Sequence, residues 1–98
     1  MEIIKTKEGS KLTVALEGSL DATTAFRFDK ELMSSLDGIT ELILDMEKLD
    51  FVSSAGLRVL LSAQKTMNTQ GKMVVINVCQ DVMDIFTVTG FADALTIR

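Results

Sequence analysis

The 98-residue chain has no histidine, proline, tryptophan or tyrosine and only one cysteine. Without histidine it can build neither the common zinc ligand sets nor a Ser-His or Cys-His nucleophile pair, so no metal site is expected. A Gly-rich phosphate loop and an acid–base pair are missing too, which argues against a nucleotide-binding enzyme and against any cofactor. The lone Cys79 cannot close an internal disulfide, as suits a reducing compartment, and reads as a small residue just after a strand. Even the longest apolar runs, such as residues 73–76, are only a few residues, against the ~20 residues that cross a bilayer. The opening Met-Glu-Ile-Ile-Lys has no basic leader followed by an apolar core, so the expected location is the cytoplasm. Positive charge is in deficit, with 10 Lys and Arg against 14 Asp and Glu for a net charge of −4. Those cations are scattered along the chain, so a nucleic-acid partner is not expected.

What remains is ordinary globular material, sized for one domain over residues 1–98 with a core of Leu, Ile, Val, Met and Ala. Residues 2–7 and 12–17 flank a Gly9-Ser10 turn signal, and Leu12, Val14 and Leu16 alternate with other residues at the period of a strand. Asp21 offers an N-cap, after which Ala25, Phe28, Leu32 and Leu36 recur at helical spacing until Asp37-Gly38. The continuously apolar runs 42–44 and 73–76 suit strands covered on both faces of a mainly parallel sheet. Phe51-Val52 reads as a short extension. Between these runs, residues 54–69 form a second amphipathic helix carrying Leu57, Leu60, Leu61 and Met67 on one side. Val82, Ile85 and Phe86 mark a third helix before Gly90, and residues 95–97 resemble a closing strand. The expected fold class is therefore α/β: a small, mixed, mainly parallel sheet of four to five strands with helices packed against it.

The informative stretch is 45–61, where an apolar strand is expected to end in an acidic loop and feed Ser53 and Ser54 directly into a helix. Free backbone N–H groups and the positive end of the helix dipole favour an anion at such a place, so a phosphate on Ser54 is tolerable there. The same serines also suit plain helix capping. Gly56, one step inside, reads as making room for a partner or a phosphate.

The run Phe51-Val-Ser-Ser-Ala-Gly-Leu-Arg-Val-Leu-Leu61 resembles the signature of the STAS family, the sulphate transporter and anti-sigma factor antagonist domains. Gly18-Ser-Leu-Asp21 is similar to that family's "G-x-L-D" turn into its first helix. Residues 71–76 and 85–91 also fall where the family has a strand and a helix, so the resemblance covers nearly the whole chain. It implies the STAS-like fold and a regulator of the anti-sigma factor antagonist type rather than an enzyme. By the match to the family's "Asp-Ser-Ser/Thr-Gly-Leu" run, Ser54 is the implied phosphorylation site, with Ala55 in place of the second hydroxyl. Ser53 stands where the family has Asp and is the second candidate.

The implied partners are an anti-sigma factor that doubles as a serine kinase and a phosphatase acting on the phosphorylated form. Asp21, Thr24, Asp45, Gly56 and Arg58 are the expected partner-binding residues, and the chain is expected to be a monomer. Since STAS domains also serve in transport, the alternative is a regulatory subunit docking on a membrane transport ATPase.

Overall fold

A computed structural model describes residues Met1–Arg98. Strand β1 (Glu2–Glu8) and strand β2 (Lys11–Leu20) pair antiparallel, with Glu8 opposite Lys11. The two-residue connection contains Gly9 at φ +62°, a backbone region open to glycine, which is why the chain can reverse there. The side chains of Leu12, Val14, Leu16 and Leu20 are buried, whereas β1 keeps charged residues along its edge.

Helix α1 (Ala22–Met33) buries Ala25, Phe28 and Leu32 on one stripe. It is followed by strand β3 (Glu41–Val52), helix α2 (Ser54–Gln70) and strand β4 (Lys72–Ile76). The sheet order is β1-β2-β3-β4, with β2, β3 and β4 parallel, so the expected mixed, mainly parallel sheet is what forms. Helix α3 (Gln80–Thr89) starts after Cys79, and a short helix α4 (Phe91–Ala94) follows Gly90. Elements β2 to α3 all contribute to one cluster of 24 buried residues, including Phe28, Phe86 and Leu60, and β1 adds only the partly buried Ile3 at its margin. At about 25 cal/mol per Å² of apolar area removed from water, burial of this kind dominates the folding free energy.

Three features differ from the sequence reading. The expected acidic loop after Leu44 is instead the second half of β3, which runs unbroken to Val52. Two register shifts against β2, between Ala15 and Glu17 and between Gly18 and Ser19, let the strand turn Leu49 and Val52 inward despite the charged residues around them. Strand β3 also alternates buried and half-buried positions over residues 41–46 rather than being covered on both faces. Cross-strand pairs Lys48–Glu17 and Lys72–Glu41 lie partly in solvent, at 3.9 and 3.8 Å. Finally, the expected closing strand shrinks to a single parallel bridge between Ile97 and Val75, and a short helix over residues 91–94 precedes it. Gln64 holds this tail: its buried side chain accepts from the Thr96 N–H at 3.2 Å and donates to Asn68 at 2.9 Å.

Candidate partner-binding site at the start of the second helix

In a parallel sheet each strand delivers the chain to the N-terminus of the following helix, so neighbouring strands bring helix starts together. Leu20 and Val52 are opposite one another at the ends of β2 and β3, and α1 and α2 begin immediately beyond them. The Leu20 carbonyl accepts from the Ser53 N–H at 2.8 Å and locks the two junctions side by side. Two positive helix ends therefore share one rim.

The two serines divide their roles there. Ser53 is the N-cap of α2: its backbone is extended (φ −84°, ψ 173°) and its Oγ accepts from the Gly56 N–H at 3.2 Å. Ser54 is the first residue of the helix and is exposed, and its hydroxyl has no hydrogen bond within the chain. The capping role that the sequence could have assigned to either serine thus falls on Ser53. Replacing Ser53 with Ala should cost about 1 kcal/mol and speed hydrogen exchange at Gly56, whereas Ser54→Ala should stay within about 0.5 kcal/mol of the parent in urea denaturation. Equal losses for the two would contradict this division.

Asp21 caps α1. Its Oδ1 accepts from the Thr23 and Thr24 N–H groups, both at 2.9 Å, while Thr24 Oγ1 accepts from the Asp21 N–H at 2.9 Å and donates to the Ser19 carbonyl at 2.8 Å. This reciprocal box occupies both side chains. The Thr24 N–H above all, helped by the Thr24 hydroxyl and the Thr23 N–H, holds the Asp21 carboxyl below its ordinary value. A depressed folded-state value means that the stabilisation is complete above the ordinary carboxylate pKa of about 4 and is lost as pH falls through the folded-state value. The Thr23 and Thr24 amide shifts should therefore titrate below about pH 4, and Asp21→Asn should flatten that titration. Shifts that titrate identically in Asp21→Asn would remove the cap from the explanation.

The other expected partner residues are spread more widely. Arg58 is exposed one turn into α2 from Ser54 and belongs to none of the three ion pairs. Gly56 faces inward: a Cβ there would sit 2.8 Å from Leu20 Cγ and 2.9 Å from the Leu20 carbonyl oxygen, so its bareness serves the packing of α2 on β2 rather than space for a partner. Asp45 lies mid-strand, seven residues before Val52, which at about 3.3 Å per residue puts it roughly 20 Å from the rim. Its carboxylate accepts from the Glu47 N–H and the Asn77 side-chain amide, both at 3.1 Å. The structure thus brings Asp21, Thr24, Ser53, Ser54 and Arg58 to one end and leaves Asp45 apart.

The rim also holds further residues, of which those of the α1–α2 groove were not singled out by the sequence pattern. Ser19 donates to Asp50 at 2.8 Å, placing a carboxylate beside the end of β3. Ala22, Ala25, Ala55 and Val59 line a shallow groove of about 290 Å³ between α1 and α2, with Phe26, Asp29 and Arg58 completing it. Phe26 is 70% exposed despite its ring size. The only clue in the sequence is that Phe26 falls off the stripe formed by Ala25, Phe28 and Leu32.

The chain is thus a small domain with a four-stranded mixed sheet whose parallel strands deliver an uncommitted serine to a helix start. The sequence model of the STAS domain matches residues 2–98, and the chain belongs to that family. BtrV of Bordetella bronchiseptica, named as an anti-sigma factor antagonist, is 33% identical over 93 residues, covering 93% of this chain and 80% of BtrV. The anti-sigma-B factor antagonist of Listeria monocytogenes is 26% identical over 98 residues, covering 97% of this chain and 85% of that protein. The fold is shared with the anti-sigma factor antagonist SpoIIAA in its unphosphorylated form, at a TM-score of 0.84 and 17% identity over 99% of this chain and 88% of that one. It is likewise shared with Bacillus SpoIIAA in its phosphorylated form, at 0.76 and 16% over 99% and 91%.

Proposed function

We propose that the chain is an anti-sigma factor antagonist that binds an anti-sigma factor through the α1–α2 rim and is released when Ser54 is phosphorylated. The observation that carries this reading is the free, exposed Ser54 hydroxyl at the first position of α2, beside a serine already spent on capping. Similarity to BtrV and to the Listeria antagonist supports the class of partner. In the unmodified state the rim is available and the sigma factor goes free. The anti-sigma factor acts as the serine kinase that modifies Ser54, and a phosphatase restores the hydroxyl in the cytoplasm.

Phosphate suits Ser54 chemically. At the first helical position it meets free N–H groups and the positive helix end, so the unbound protein accommodates the charge without rebuilding α2. Ser53 is a poor acceptor by comparison, because transfer to its oxygen competes with the Gly56 N–H bond.

Incubation with candidate anti-sigma factor kinases and ATP, followed by mass mapping, tests the reading. Phosphate on Ser54 is the expected product, and modification confined to Ser34 or Ser62 would refute the assignment. Ser54→Ala separates this function from that of a transport subunit: a sigma regulator becomes permanently active, whereas a structural subunit is unaffected.

A further inference from the structure

We infer that the groove between α1 and α2 is the socket in which the anti-sigma factor seats an apolar side chain flanked by a carboxylate, with Phe26 as its principal contact. The inference rests on the function proposed above and adds to it the chemistry of the partner's contact.

Four large apolar residues are exposed in the chain: Ile4, Phe26, Phe51 and Val88. Single exposed apolar residues are ordinary on protein surfaces. Phe26 differs from the other three in standing at the wall of a concave site of about 290 Å³ whose floor is apolar. Ala22, Ala25 and Ala55 are small and leave room there, and Val59 adds further apolar lining. The trough thus accepts a side chain without any rearrangement of the core beneath it.

The groove is continuous with the rim that carries Ser54. Ala22 is the first residue of α1, and Ala55 directly follows Ser54, so a segment seated here passes over the phosphorylation site. A kinase partner has to approach that hydroxyl in any case. Phe26 then supplies what Ser54 cannot: a large apolar area that becomes dry on binding, the property of residues that dominate interface energies. A cation also stands beside the ring, with Lys30 Nζ 5.5 Å from its centroid.

Charge selects among apolar partners. Arg58 borders the groove exposed and outside every ion pair of the chain, and Lys30 stands over Phe26 on the other helix. In a chain of net charge −4 these are two local cations around one apolar socket. An acidic residue beside the partner's apolar side chain would meet Arg58 in a bidentate pair, which a purely apolar surface or a basic segment could not. Asp29 on the same groove adds repulsion against a carboxylate placed on its side and so fixes the direction in which the partner segment runs.

The test uses the full chain and the anti-sigma factor kinase that modifies Ser54. Phe26→Ala should leave the thermal midpoint unchanged, because the ring is largely in solvent, yet weaken binding at least about tenfold. Arg58→Gln should weaken binding and flatten its salt dependence. A photo-crosslinking amino acid at position 26 should capture that same kinase, and one at position 88 should not. Binding by Phe26→Ala within twofold of the parent would overturn the inference while leaving Ser54 phosphorylation, and so the function, intact. Crosslinks from position 26 to a second copy of the chain, or from position 88 alone, would overturn it as well. If no kinase modifies Ser54, the function itself fails, and the mass mapping above reports that separately.

Discussion

Stoichiometric phosphorylation of Ser54 should lower affinity for the anti-sigma factor by about 10⁴-fold. Moving a partner from nearly full to nearly absent occupancy takes about 5.5 kcal/mol of differential affinity. Loss of one neutral hydrogen bond, roughly 1 kcal/mol, is too small. A phosphate carries about −1.5 to −2 charges, and desolvating it against a partner that brings no cation costs several kcal/mol. Asp21 and Asp50 lie at the same end of the sheet and add to the repulsion, whereas Asp45 is too far along β3 to contribute.

In the free protein the positive end of α2 stabilises the same phosphate, so the penalty falls on the complex and not on the fold. Titration calorimetry on the two forms checks the affinity, and a change below about a hundredfold would fall short of a switch. Amide spectra of the free protein should shift mainly over residues 53–58 and the facing end of β2. Spectra that report refolding of all of α2 would replace the electrostatic account with a conformational one.

The second large effect is expected at Gly56. Its ideal Cβ would lie 2.8 Å from Leu20 Cγ, 2.9 Å from the Leu20 carbonyl oxygen and 3.0 Å from Leu20 Cδ2. Leu20 is fully buried, and its carbonyl already accepts from the Ser53 N–H, so neither group can retreat freely. Alanine at a helical glycine gains up to about 1 kcal/mol of intrinsic preference, but overpacking of this kind costs about 1–3 kcal/mol, and the clash should win.

Gly56→Val adds two further methyl groups and should lose about 3 kcal/mol, lowering the thermal midpoint by roughly 12–24 °C in a domain of this size. Because the displaced turn begins at Ser54, partner binding should fall as well, even at temperatures where the variant is folded. A Gly56→Val protein as stable as the parent in urea would show that α2 does not rest on Leu20 as closely as described.

Both effects hinge on residues the sequence made visible, but for reasons it could not supply. The serine pair at a helix start was legible because Ser53-Ser54 precedes Leu57, Leu60 and Leu61 at helical spacing. Which serine caps and which stays free depends on where the Leu20 carbonyl anchors the chain, and that is a contact between strands. Gly56 stood out by position, yet its role reverses once β2 is seen beneath it. Asp45 looked like a strand end because the run 42–44 is apolar and 45–50 is largely charged. The register shifts in β3 override that pattern, since bulges let a polar stretch keep pairing while Leu49 and Val52 still reach the core. The closing strand was placed correctly but forms a single bridge, Ile97 beside Val75, after a helical turn over residues 91–94 that the sequence reading had not assigned.

Period and composition by themselves determined the order of the long elements, the mixed and mainly parallel sheet, and the absence of the residue types that zinc or histidine-based catalysis requires. They could do so because periods of 2 and 3.6 and residue types are properties of the chain alone. Only the tertiary structure decided that α1 and α2 start side by side, that Ser53 is committed while Ser54 is free, and that Phe26 stands over an apolar groove. Each of these depends on groups far apart in sequence, such as Leu20 and Ser53, being brought together by the pairing of β2 with β3, and no local pattern records that distance.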